Sequence, residues 1–410
     1  PKGLVAITGA TIITMDGDEV IENGVILIEN NRIKKVGTSK TKIPKEAKMV
    51  DAYGKTIIPG LVDVHAHMGL EWDGLSSEQN WHYLANLAFG VTTTHDPSRD
   101  TEMVFANSEL QKAGKLLAPR IYSTGTILYG AVTGFTAEVN SFDDAKRALK
   151  RIKAFGGFSV KSYNQPRREQ RQQILKAARE LNMHVYPEGG STLQHNLNMV
   201  TDGHNGIEHS IPVSPLYKDV LTLYGESGVS YTPTLIVSYG GLWGENYWYS
   251  KMNVFEHARL QSFMPQQMLD QKRRRMKIEE DDWNHIENAK AAKALSDAGV
   301  KVNNGAHGQI QGMGVHWEMW MMAQGGMSPM AALKASTING AEYLGMGDDL
   351  GSIEEGKLAD IVILGKDPLK NIQNSDSVEM VMINGRLYDA TTMNEVVTGN
   401  TKRRPLWWKN

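Results

Sequence analysis

Ile57-Ile58-Pro59-Gly60-Leu61-Val62-Asp63-Val64-His65-Ala66-His67 is an apolar, β-branched run that ends in two histidines separated by one residue. Strand side chains alternate between faces, so the imidazoles of His65 and His67 point the same way and can converge on one divalent ion. A lone His-x-His also fits two polar residues at the end of a strand. Here the run opens after Pro59-Gly60, and further donor residues recur at the ends of later apolar runs. The pair is read as the first part of a constellation.

Outward from this run, short apolar strands alternate with helical segments, the pattern of βα units around a parallel sheet. The candidate strands are Leu61 to Val64, Val91 to Thr94, Ile121 to Ser123, Ser159 to Ser162, His184 to Pro187, Gly206 to Glu208, Ser230 to Thr232 and Lys301 to Asn303. Eight such strands are the number in an α/β (β/α)8 TIM barrel. Residues 1–58 read instead as short antiparallel strands, at Leu4 to Ile7, Thr11 to Ile13, Gly24 to Ile28 and Ile33 to Val36. Ala359 to Leu364 and Val378 to Leu387 repeat that style, the latter with a hairpin signal at Asn384-Gly385. The expected organisation is a small β-sandwich domain from 1–58 plus 348–400, a barrel over 59–347 and a tail over 401–410. Ser328-Pro329 before an alanine-rich stretch marks the start of the helix that returns the chain toward the β domain.

Composition narrows the chemistry. With 44 basic against 46 acidic residues and a net charge of -2 in 410 residues, the chain carries no electrostatic footprint for nucleic acid. No cysteine is present, which removes disulfides and thiolate ligands and leaves His, Asp, Glu and modified Lys as metal donors. No apolar stretch reaches membrane-span length, and the first residues lack a basic-then-apolar signal pattern. A small-molecule substrate is expected. The bacterial compartment, cytoplasmic or periplasmic, stays open. A chain that starts at Pro1 without Met fits a piece of something longer.

Barrels of this kind do their chemistry at the C-terminal ends of their strands. His65 and His67 end the first candidate strand, Lys161 lies in the fourth, Glu188 follows the fifth, His209 the sixth and His307 the eighth. Any one of them can be a satisfied polar residue. Six at five matching positions form a candidate metal site.

These motifs make the chain resemble the metal-dependent amidohydrolase superfamily, in its imidazolonepropionase-like and prolidase-like branch. The resemblance rests on Pro59 to His67, Val160-Lys161-Ser162-Tyr163, Gly206-Ile207-Glu208-His209-Ser210, Ser336-Thr337-Ile338-Asn339-Gly340-Ala341 and Gly351 to Asp360. Among such proteins it looks most like barrels that carry a TolB-like β-propeller in front, which implies an N-terminal propeller in the full-length protein. The resemblance implies a His-x-His pair from strand one, a lysine carboxylated by CO2 from strand four, histidines from strands five and six, and an aspartate from strand eight. This chain departs twice, with Glu188 where the fifth-strand histidine is expected and His307 where the aspartate is expected. The exchanges compensate, keeping four histidines, one carboxylate and one lysine.

On that reading His65, His67 and His307 take one divalent ion, Glu188 and His209 take a second, and a CO2-derived carbamate on Lys161 bridges them. An unmodified ammonium between two dications is strongly repelled, whereas a carbamate is an anionic two-oxygen donor. Zn, Fe and Mn all suit the donor set. The implied activity is hydrolysis of an amide or peptide C–N bond by a hydroxide held between the ions. The proton-transfer role of the missing aspartate falls to His307 or Glu188, with His95 and His316 as further candidates. Two other readings stand beside it: a dinuclear-iron oxygenase on the same barrel, and a metal-binding module with impaired catalysis.

Substrate signals are sparse. Tyr163 follows Lys161 by two residues and can reach the same site, and His95 and His316 are candidate substrate contacts. Ser238 to Tyr249 carries glycines and aromatics at the expected mouth, suited to a lid or to subunit packing. The charged run Gln271 to Asp282 reads as a solvated helical face, and Arg167 and Arg168 as solvated loop residues. Met319, Met321 and Met322 with Trp317 and Trp320 have the spacing of a buried helix face. Trp407 and Trp408 mark the tail as a docking segment, within the chain or in a homo-oligomer.

Overall fold

The computed structural model describes residues 1–69, 75–129, 136–163, 167–190, 192–239, 241–273 and 276–409. The chain opens with a meander of β1 (Leu4–Ile13), β2 (Val20–Glu29) and β3 (Arg32–Thr38), paired antiparallel. Ile7, Ile26, Ile28 and Ile33 share one buried cluster by the alternation of these strands, and the register shifts in β1 between Thr8 and Ile12 bring Ile12 onto the same face. β4 (Lys48–Asp51) and β5 (Thr56–Pro59) depart from the all-antiparallel expectation, because both pair parallel with β1. The segment after β3 carries the chain back to the start of β1, and a strand resuming there runs in the same direction.

β5 leads through Gly60 into β6 (Leu61–Asp63), which pairs parallel with β7 (Val91–Asp96), itself parallel to β8 (Arg120–Ser123). A second parallel group holds β9 (Ile127–Tyr129), β10 (Thr136–Ala137), β11 (Ser159–Tyr163) and β12 (His184–Pro187). β13 (Gly206–Glu208) and β14 (Ser230–Thr232) form a third. Bridges connect the groups, from Glu188 to Glu208 and from Tyr231 to Val302. Lys301 to Asn303 therefore joins the array through the Val302 bridge rather than as a strand. Its continuation returns to the start, since Val64 N donates to Asn304 O at 3.0 Å and His307 N to His65 O at 2.8 Å.

Helices fill the intervals, and their starts are legible in side chains. Asp100, Ser141, Thr192 and Ser328 each accept a hydrogen bond from a backbone N–H in the first turn of the helix they precede. The helix Met313–Gln324 is buried on nearly every side, with Trp317, Met319, Trp320, Met321 and Met322 all in the core. The charged run after Gln271 does not form the expected helix. Arg274 and Arg275 lie outside the described residues, and Glu280–Asp282 is a single 3-10 turn in which adjacent like charges would crowd a longer helix.

The chain then returns to the first sheet. β15 (Ile361–Leu364) pairs antiparallel with β5, β16 (Val378–Ile383) with β15, and β17 (Arg386–Asp389) with β16 through the Asn384-Gly385 turn. One mixed sheet of eight strands is thus drawn from both ends of the chain. A buried ion pair ties it to the parallel strands: Arg120 donates to both oxygens of Asp360, at 2.9 and 3.1 Å. The tail is held as well, with Gln79 Nε2 donating to the carbonyls of Arg404 and Pro405 and Leu406 buried, while Trp407 stays exposed.

Candidate metal centre

The histidines of the opening motif stand just beyond β6, which pairs with β7 on one side and whose continuation at Val64 meets Asn304 on the other. His65, His67 and His307 each offer a ring nitrogen, and these atoms lie within 4.8 Å of one another. His307 reaches this position through a backbone that only small neighbours allow. A Cβ on Gly305 would sit 2.7 Å from His65 Cβ, and one on Gly308 would sit 2.2 Å from His67 O. Asp63 ties the two segments together by accepting from His65 N and Ala306 N, both at 3.1 Å. Burial pushes the Asp63 carboxyl up to about 7 despite these donors.

A second group faces the first. Lys161 on β11 lies 2.7 Å from Glu188 Oε2, and His209 Nε2 lies 2.7 Å from Glu188 Oε1. Tyr239 donates its hydroxyl to the same Oε1 at 2.9 Å and stacks on the His209 ring. Burial alone would raise the Glu188 carboxyl, but His209 and Lys161 outweigh it and hold the group well below the usual carboxylate range. The two groups are in contact, with ring centroids 4.8 Å apart for His65 and His209 and 5.2 Å for His209 and His307. All six residues singled out from the strand ends therefore meet at one place.

Around them lies a set of orienting groups. Glu208 Oε2 is 2.6 Å from His65 Nδ1, and Tyr343 donates to Glu208 Oε1 at 2.7 Å. A carboxylate on one ring nitrogen fixes the tautomer and leaves the other nitrogen free to ligate. His65 Nε2 is buried and has no hydrogen-bond partner among the described residues. Burial is the main force holding both His65 and His307 well below the ordinary imidazole value, so their rings are neutral and carry a lone pair. An orphaned buried nitrogen within 4.8 Å of two further imidazole nitrogens fits a divalent ion. Glu188 with His209 could supply a harder, oxygen-containing counterpart, with Lys161 beside it.

Two expected residues are occupied elsewhere. His95 sits below the site with its ring nitrogens at Val64 O (3.2 Å) and Ser159 Oγ (2.9 Å). His316 lies on the buried helix Met313–Gln324, bound to Ser375 Oγ and Phe89 O, both at 2.9 Å. With both nitrogens engaged, neither histidine is presented to the cluster. Tyr163 remains adjacent, with Lys161 Nζ 5.9 Å from its ring. In the segment suggested as a lid, Gly240 lies outside the described residues, Trp243 is exposed, and Tyr239 turns inward to Glu188. Arg168 is half-exposed and paired with Asp202.

Sequence reasoning passed over Glu208, Tyr239, Asp63 and Thr234. Glu208 carried a readable signal, since it ends β13 directly before a candidate ligand. Thr234 did not. It takes φ 43°, ψ 55°, and its Oγ1 lies 2.7 Å from His209 Nδ1. His209 and His307 also take positive φ, at 73° and 57°. The ends of β13 and β14 and the segment after the Val302 bridge are thus each turned over by a left-handed residue, a costly backbone of about 1–3 kcal/mol each that surrounding structure must impose.

A family model described as the amidohydrolase family matches residues 56–388. Among curated proteins, a dihydroorotase from Aquifex aeolicus (strain VF5) is 31% identical over 126 residues, covering 29% of each chain. A 5-methylthioadenosine/S-adenosylhomocysteine deaminase from Bacillus thuringiensis (strain Al Hakam) is 43% identical over 61 residues, 14% of each. The chain thus spans less than a third of the length of these curated relatives. Among solved structures, a Xaa-Pro dipeptidase with bound methionine aligns with TM-score 0.74 at 22% identity, covering 94% of this chain and 100% of that one. An ochratoxinase from A. niger aligns with TM-score 0.70 at 19% identity over 95% and 96%. At such identities the structural matches carry the fold alone.

Proposed function

The chain belongs to the amidohydrolase family, and from that premise we propose a dinuclear metal-dependent hydrolase that cleaves an amide or peptide-type C–N bond of a small molecule. The observation that carries this reading is the meeting of two donor groups, His65, His67 and His307 on one side and Lys161, Glu188 and His209 on the other. The first group would hold one ion. Glu188 and His209 would hold a second, with Lys161 carboxylated by CO2 between them. Bound there, two ions of Zn, Fe or Mn supply Lewis acidity, lowering the pKa of water and polarising the scissile carbonyl.

The protein's own groups orient and move the proton. Glu188 Oε1 already accepts from Tyr239, and Glu188 is the carboxylate placed to receive a proton from an attacking water. His307 is the second candidate, able to pass a proton to the leaving nitrogen from whichever ring nitrogen is not ligating. Tyr163, whose ring lies 5.9 Å from Lys161 Nζ, would contact the substrate on this reading. The reading also takes the parallel ladders and their return from Asn304 to Val64 as a (β/α)8 barrel over 59–347, and the mixed sheet as a small β domain from 1–58 and 348–400. On this reading the barrel would present all six from its C-terminal side, where such barrels carry out their chemistry.

Elemental analysis of purified protein, with turnover of N-acyl amino acids and Xaa-Pro dipeptides, tests the proposal. Two ions per chain and amide cleavage that is lost on chelation and restored by metal are expected. One ion or none would overturn the dinuclear site, and metal-dependent oxygen consumption without hydrolysis would overturn the hydrolase.

A further inference from the structure

One buried carboxylate beside the site has no part in the chemistry above. Glu318 lies fully buried on the helix Met313–Gln324. Both its oxygens are engaged by backbone, accepting from Leu235 N at 2.7 Å and from Ile236 N at 2.9 Å. These donors open the 3-10 turn Leu235–Val237, and the residue that leads into the turn is Thr234. Threonine is β-branched and disfavours the left-handed region it occupies here, so its own sequence does not choose that conformation. An amide or hydroxyl satisfies a single N–H at much lower desolvation cost. What a carboxylate adds is the capture of two successive N–H groups at once, which fixes the start of the turn as a rigid unit.

The consequence reaches the donor set in one further contact. Thr234 Oγ1 lies 2.7 Å from His209 Nδ1, while His209 Nε2 lies 2.7 Å from Glu188 Oε1. A hydrogen bond at one ring nitrogen fixes the orientation of the imidazole and so the direction of the other nitrogen. Resting on the metal-centre reading above, we propose that Glu318 is a positioning residue for the His209 half of that centre. It holds Leu235 and Ile236, the clamped turn holds Thr234 left-handed, and Thr234 holds His209 with Nε2 facing the ion.

The test uses the full chain, stripped by chelator and refilled with Co(II) alone in bicarbonate buffer. Stoichiometry, affinity and the visible spectrum are read for wild type, Glu318→Gln, Thr234→Val and the double variant. Wild type is expected to bind two ions. Each single variant should lose one of them by about 10–100-fold in affinity while keeping the other. The double variant should be no weaker than the worse single one, because both changes act through His209. Wild type binding fewer than two ions would overturn the metal-centre reading itself. Two ions bound alike by wild type and both single variants would overturn only the positioning role, as would additive losses. A purely structural Glu318 would lower the melting temperature of the stripped protein and leave Co(II) affinity unchanged. Should Glu318→Gln fail to fold, Thr234→Val decides, since unaltered Co(II) binding by that variant breaks the relay.

Discussion

Lys161 Nζ and Glu188 Oε2 sit 2.7 Å apart with both side chains buried. As an ammonium, the lysine neutralises Glu188. As a carbamate it would place a second anion beside the first, and only bound cations could offset that. Carboxylation and metal binding should therefore appear together. With labelled bicarbonate, a carbamate carbon signal is expected in NMR spectra of the metal-loaded protein and should vanish on chelation. Lys161→Ala should lower turnover by about 10^3-fold, the equivalent of several kcal/mol of lost electrostatic stabilisation. Small added carboxylates should restore part of it. Undiminished turnover in Lys161→Ala would rule out the bridging role.

Tyr239→Phe tests the group that shares Glu188 with the donors. The ring should keep its stack on His209 while the 2.9 Å hydrogen bond to Glu188 Oε1 is lost. We expect kcat to fall about 10–100-fold. KM should change little, because the hydroxyl is spent on an orienting bond rather than on substrate. A rise in KM at constant kcat would place Tyr239 in substrate binding instead.

How far the sequence could be read follows from which forces are local. Seven of the eight expected parallel strands lie within two residues of their place because short apolar runs between capped helices are a local pattern, as at Ser159–Tyr163 and His184–Pro187. The short strands β9 and β10 carry too little apolar sequence to be read, and Lys301 to Asn303 forms only a bridge. The six candidate residues that meet in the structure followed from the strand-end rule. The direction of β4 and β5 was not legible, since pairing with β1 depends on where the loop after β3 delivers the chain. His95 and His316 illustrate the same limit at the site. Their residue type suggests chemistry, yet partners distant in sequence, Val64, Ser159, Ser375 and Phe89, take up both rings. Thr234 was invisible for a further reason: its conformation is imposed by Glu318, 84 positions away in a different helix, and no local propensity records it.

Arg120 and Asp360 give a stability prediction at the seam between the parallel strands and the mixed sheet. The pair is bidentate and mostly buried, and Asp360 also accepts from Asn384 N at 2.7 Å. Removing one partner strands a charge away from water, so Asp360→Ala and Arg120→Ala should each cost about 3 kcal/mol in denaturant unfolding. The double variant should cost clearly less than the sum, because no lone charge remains. Additive losses would mean that the two residues stabilise the protein through separate contacts.

Buried neutral histidines outside the donor set should make the fold acid-sensitive. Burial lowers His95, His204, His285 and His316 to about 4 from the ordinary 6.5. Between those values the unfolded chain binds protons that the folded chain refuses. Stability is then full above pH 6.5 and falls as pH drops through 4, by up to about 3 kcal/mol per histidine. Urea unfolding of metal-stripped protein from pH 7.5 to 4.5 measures this slope without metal release from His65, His67 or His307. In His316→Gln, where an amide can still donate to Phe89 O, the acid slope should flatten by up to one proton. An unchanged slope would mean that His316 is not held neutral by its burial.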